Sequence, residues 1–191
     1  GTLILESDLA HEVPLNADSY TSQTTVTAGT LQIGDGGDAG SITSEDIIVK
    51  SGAVLRIDRN DDEEITIDGT IRGGGSLDKA GSSTLTLSGM NDYLGGTTVR
   101  NGELVLAGSG AAGTGTISLD SSDSDNLASL SLARGLRLTN DIDIGDGGGK
   151  IGMVDLFAGA VDIYNNLPTD VLIVGGGGGG GGQGNYEFNG S

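Results

Sequence analysis

Tyr93-Leu94-Gly95-Gly96-Thr97-Thr98-Val99-Arg100-Asn101-Gly102-Glu103-Leu104-Val105-Leu106-Ala107 repeats, without a gap, a phrase that stands 73 residues earlier. The earlier stretch is Tyr20-Thr21-Ser22-Gln23-Thr24-Thr25-Val26-Thr27-Ala28-Gly29-Thr30-Leu31-Gln32-Ile33-Gly34. Tyr20, Thr24, Thr25, Val26, Gly29 and Leu31 recur as Tyr93, Thr97, Thr98, Val99, Gly102 and Leu104, and Ile33 faces Leu106. In this phrase Leu104 and Leu106 alternate onto one side, as they do on a strand, and Val99 lies on a preceding strand. Asn101-Gly102 between them is a turn pair, because Gly takes positive φ without a Cβ clash.

One such unit cannot bury its apolar row alone. Stacking coils about 4.8 Å apart pairs each strand with the coil above and below and builds a continuous Leu/Ile/Val column. Coils of about 20 to 25 residues predict eight or nine rungs, with the 73-residue offset spanning about three of them. Two further echoes extend the pattern. Gly1-Thr2-Leu3-Ile4-Leu5 reads like Gly29-Thr30-Leu31-Gln32-Ile33, and Tyr186-Glu187-Phe188-Asn189-Gly190 like Leu85-Thr86-Leu87-Ser88-Gly89.

Composition agrees with a thin, repetitive core. The 191 residues include 37 Gly, 2 Pro, no Cys, no Trp, one His and six Phe or Tyr. Too few bulky side chains are present to fill a wide interior. Collagen is excluded because Gly does not recur at every third position. Short apolar runs such as Ile47-Ile48-Val49, Leu85-Thr86-Leu87 and Val171-Leu172-Ile173-Val174 argue against disorder and for short strands. The best helical spacing, Asp125 to Leu138, is broken by Gly135 and ends in strand-like alternation. The expected fold is therefore all-β, a parallel β-helix.

Acidic residues outnumber basic ones 27 to 9, for a net charge of -18. That balance argues against nucleic acid, whose phosphates need Lys and Arg. No run approaches the roughly 18 apolar residues of a membrane span. Without Cys, disulfide frameworks and Cys-based zinc sites are ruled out.

The stretch from Gly75 to Leu106 includes Leu77, Lys79, Leu85, Leu87, Gly89, Asn91, Tyr93, Gly95, Gly96, Thr97, Thr98, Val99, Gly102, Leu104 and Leu106. In that order and spacing it resembles the passenger-associated transport repeat of bacterial autotransporters. Gly113-Thr114-Gly115-Thr116-Ile117-Ser118-Leu119 matches the repeat's ending. Repeat-like stretches thus cover 75–119 and, as an eroded copy with Ser22-Gln23 in place of Gly-Gly, 20–42. The resemblance implies a right-handed β-helix forming a non-catalytic, adhesin-like part of a passenger on the bacterial surface or secreted. The expected partners are a host or neighbouring-cell surface or matrix component, or a further copy of the chain stacked end to end into an extracellular fibre.

Chemistry-bearing motifs are sparse. Gly34-Asp35-Gly36-Gly37 has Gly36 where a serine protease would carry its nucleophile, no G-x-S-x-G occurs, and His11 is the one imidazole. Protease chemistry is therefore not expected. The densest carboxylate group, Asp58-Arg59-Asn60-Asp61-Asp62-Glu63-Glu64, reads as a polar turn, with polysaccharide cleavage by paired acids as the less favoured reading. No cofactor is expected, and calcium is the one ion considered. Asp58, Asn60 and Asp62 have the odd-position spacing of an oxygen-ligand loop, although Glu63 and Gly69 stand where such loops want Gly and Glu. Asp123 and Asp125, beside Asp120, are the second weak candidates. The octaglycine Gly175 to Gly182 lacks the helix and following acid of a dinucleotide site and reads as part of a flexible loop over 175–184.

Overall fold

A computed structural model describes residues 2–5, 23–60, 62–121, 127–133, 136–154, 162–163 and 173–175. Within them the chain forms strands and turns only. In chain order the first strands are β1 (Thr2–Leu5), β2 (Gln23–Val26), β3 (Gly29–Ile33), β4 (Asp46–Val49), β5 (Ala53–Ile57) and β6 (Ile65–Ile67). There follow β7 (Thr70–Arg72), β8 (Ser76–Lys79), β9 (Thr84–Leu87), β10 (Thr97–Val99), β11 (Glu103–Leu106) and β12 (Ile117–Leu119). The last are β13 (Ser129–Ala133), β14 (Arg137–Leu138), β15 (Ile142–Ile144), β16 (Lys150–Val154), β17 (Asp162–Ile163) and β18 (Ile173–Gly175).

Among the described residues every pairing is parallel, and none joins strands adjacent in sequence. The first sheet runs β1-β3-β5-β8-β10-β12-β15, the second β18-β16-β13-β11-β9-β6, and a shorter third β2-β4-β7, with β14-β17 as a separate pair. This is a parallel β-solenoid, in which the chain visits each face in turn and then stacks on itself. Inward positions of the first sheet form two columns. One is Leu31, Leu55, Leu77, Thr97, Ile117 and Ile142; the other is Ile33, Ile57, Lys79, Val99, Leu119 and Ile144. The second sheet adds Ile65, Leu85, Leu104, Leu130 and Ile151, beside Ile67, Leu87, Leu106 and Leu132. Alternation along each strand puts the aliphatic members of these columns in one buried cluster, against which half-buried Ile144 packs.

The rung count differs from the eight or nine expected: the described residues form about five turns, and the longest sheet among them has seven strands. The coils are not uniform: successive partners in the first sheet lie 28 residues apart at Thr2–Thr30 and 24 at Thr30–Val54. The step shrinks to 20 at Leu77–Thr97 and again at Thr97–Ile117, then widens to 25 at Ile117–Ile142.

The 73-residue echo is also not a whole number of turns. Thr24 and Val26 lie on β2 in the third sheet, whereas Thr97 and Val99 lie on β10 in the first. Likewise Leu31 and Ile33 belong to the first sheet, and Leu104 and Leu106 to the second. The copies are three turns and one face apart. The repeated phrase is thus a corner, strand–glycine turn–strand, placed at two different corners of the solenoid. The echo between Thr2–Leu5 and Thr30–Ile33 is one full turn, residue on residue. Tyr20, His11, Asp123, Asp125 and the echo at 186–190 lie outside the described residues, as does the glycine loop except Gly175, which closes β18.

Candidate functional site

The two 20-residue coils from Gly75 to Leu119 are the most regular part of the solenoid, and their polar residues are used for stacking. Asn91 follows β9 on the face of the third sheet, in a coil where no strand forms on that face. Its Oδ1 accepts the Ile71 backbone N–H of the previous coil at 2.7 Å, and its Nδ2 donates to the Ala111 carbonyl of the next at 2.5 Å. The side-chain amide therefore spans two coil gaps in the way a strand's backbone would. Its neighbours continue the ladder, with Asp92 N–H donating to Ile71 O at 3.0 Å and Thr114 N–H to Tyr93 O at 3.1 Å. One coil further, Asn140 Nδ2 donates to the Gly115 carbonyl at 2.8 Å and the Gly113 carbonyl at 3.2 Å.

Tyr93 supplies the aromatic filler of this core. It is fully buried, its hydroxyl shares a 2.5 Å hydrogen bond with Thr97 Oγ1, and burial raises the phenol's pKa above the usual range. Thr97 takes an aliphatic position in its column and is satisfied by this bond, as a buried hydroxyl must be. The ring lies under Gly113, whose φ is +64° and whose Cβ would sit 2.5 Å from Tyr93 O and 3.1 Å from the ring. That contact accounts for the Gly of the Gly113-Thr114-Gly115 ending. Gly89 and Gly95 sit equally close over the backbone of Gly69 and Gly75.

Lys79 was present in the repeat phrase, yet nothing in the sequence marked it as internal. It occupies a column position between Ile57 and Val99 and has no exposed surface. Its Nζ donates to the Gly81 carbonyl of its own corner and to the Asn101 carbonyl of the next coil, the latter at 3.2 Å. Burial lowers its pKa to about 8, opposed by the negative charge of Asp58. Arg59, at the same corner one coil earlier, is also buried and donates to the Gly40 carbonyl at 3.1 Å.

The outer surface carries ion-pair ladders. Asp78 accepts from Arg56 at 3.1 Å and from Arg100 at 3.0 Å, linking three coils. Asp46 bonds Arg72 through both carboxylate oxygens at 2.6 Å and Gln23 at 2.5 Å. These bonds, Arg72's foremost, bring its pKa down to about 2. At this exposure such a pair adds little stability.

Of the calcium candidates, Asn60 and Asp58 have protein partners. Asn60 Oδ1 accepts the Ser82 N–H at 2.7 Å and its Nδ2 donates to Gly36 O at 2.7 Å, so it joins coils as Asn91 does. Asp58 lies 3.6 Å from Arg56 Nε, and Asp62 is exposed. Among the described residues no group of three or more His, Cys, Asp or Glu is placed to hold a metal ion. No helix there is long and apolar enough to cross a membrane.

The remaining repeat residues divide by face. Thr25 and Thr98 point outward, while Val26, Leu31, Ile33, Leu85, Leu87, Val99, Leu104 and Leu106 are buried. Thr24 shares a 2.5 Å hydrogen bond with Ser44, and Gly29, Gly96 and Gly102 turn corners with φ between +67° and +80°. Comparison with curated proteins and with solved structures finds no match. The passenger-associated-transport-repeat family matches residues 1–33 and 77–106. The first match begins ahead of the 20–42 copy and the second falls within 75–119. Over about a third of its length, the chain is similar to the passenger-associated-transport-repeat family, in keeping with the repeats of autotransporter passenger domains.

Proposed function

We propose that this chain is a non-catalytic scaffold segment of a secreted or surface-displayed passenger that presents adhesive surfaces away from the cell. The supporting observation is the use made of the repeat's polar groups. Asn91, Thr97 and Lys79 are buried and bond within the solenoid, so the repeat's chemistry goes into building a rigid rod. A stack of parallel coils extends by about 4.8 Å per turn and spends 20 residues or more on each step, which favours stiffness over reach per residue.

Electron microscopy and adhesion of the purified chain test this reading. Monodisperse rods that bind cells or matrix, with no turnover of a polysaccharide panel, are expected. Saccharide release abolished by Asp58→Asn or Asp62→Asn would replace it with an enzyme. Concentration-dependent filaments lengthening end to end would favour the fibre subunit instead.

A further inference from the structure

The inward columns leave a problem of choice unsolved. Leu, Ile and Val occupy nearly all of their positions. If one coil slid by two residues over its neighbour, every strand would still point its apolar side chains inward. Only a one-residue slip turns the sheet inside out. Hydrophobic burial alone therefore does not select a single stacking register.

We infer that Lys79 sets the register between the two matching coils, through its bonds to the Gly81 and Asn101 carbonyls. The first carbonyl belongs to the turn between β8 and β9 and the second to the turn between β10 and β11. A two-residue slip moves a strand by about 6.6 Å, which carries the Asn101 carbonyl out of reach of the ammonium. The buried charge would then lack its partner in the next coil, a cost an aliphatic residue does not incur. Ile57 below and Val99 above show that this position is otherwise filled by aliphatic side chains. A buried polar group that fixes register at the expense of stability is the best-attested use of such groups. Asp78 and Asn91 also bond across this gap, but Arg100 is partly exposed and has the length to follow a slip, and Asn91 lies on the third face, away from the β8–β10 and β9–β11 pairs.

Disulfide trapping tests this directly, because the chain has no Cys. Thr86→Cys with Val105→Cys reports the native register, since these residues are partners. Thr84→Cys with Val105→Cys reports a two-residue slip. With Lys79 present only the first pair should oxidise. In Lys79→Met the slipped pair should form at least tenfold more disulfide, with β-sheet circular dichroism retained, and Lys79→Gln, which keeps a donor, should restore the native pair. Lys79→Met yielding the native pair alone would overturn the inference. Loss of folding in both variants would overturn it too, since Lys79 would then supply stability rather than register.

Discussion

Asn91 Oδ1 accepts the Ile71 backbone N–H across one coil gap at 2.7 Å, in place of a strand pairing that the backbone does not make there. Asn91→Ala removes both this acceptor and the donor to Ala111 O, leaving two buried backbone groups unsatisfied. A loss of about 2–4 kcal/mol is expected, measured by urea denaturation. Asn91→Asp keeps the acceptor but sets a carboxylate against the Ala111 carbonyl, so it should recover little of the loss. Wild-type stability in Asn91→Ala would mean that this face is not held by the amide.

Two glycines separate crowding from backbone strain. Gly102 has φ +67° and a Cβ there would lie 2.5 Å from Ser82 O, whereas Gly110 has φ +80° with nothing within 4 Å. Gly110→Ala should cost about 1–2 kcal/mol from left-handed strain alone. Gly102→Ala adds the clash and should cost at least twice as much, or prevent folding. Equal melting shifts for the two variants would contradict the tight stacking of that corner.

Leu104 is fully buried between Leu85 and Leu130. Leu104→Ala should cost about 2–5 kcal/mol, and Leu104→Asp should abolish the cooperative transition because its charge has no partner in the column. A folded Leu104→Asp protein would show that this residue does not point inward.

Lys79 makes stability depend on pH with a definite sign. Its folded pKa of about 8 lies below the ordinary 10.5, so between those values the unfolded chain binds more protons and stability rises with pH. Below pH 8 both states are protonated, and the full cost of burial is present. From about pH 8 to 9.5 the gain should be on the order of 2 kcal/mol. Above about pH 10 Tyr93 opposes it: its raised pKa makes the unfolded chain ionise first. Lys79→Met should flatten the rise from pH 8 to 9.5 and be no less stable than wild type at pH 7. Denaturant melts at several pH values measure both, and an unchanged slope in Lys79→Met would assign the dependence elsewhere.

The fold class was legible in the sequence because strand alternation and glycine turns are local, and a stacked repeat needs no long-range information to be recognised. Leu85, Leu87, Leu104 and Leu106 could be placed inside from their period alone, and Thr2–Leu5 could be laid on Thr30–Ile33 from likeness alone. The assignment of faces was not local. How far round the solenoid the chain has travelled depends on every intervening corner loop, so the 73-residue echo landed one face beyond three turns. Nor did residue type show which polar groups are internal. Asn60 looked like a metal ligand and Lys79 was only one letter of the repeat, until stacking brought the backbone of adjacent coils within reach of their side chains. Sequence determined that this chain stacks; tertiary structure decided what each polar residue holds, because those partners lie some 20 residues away along the chain and one coil away in space.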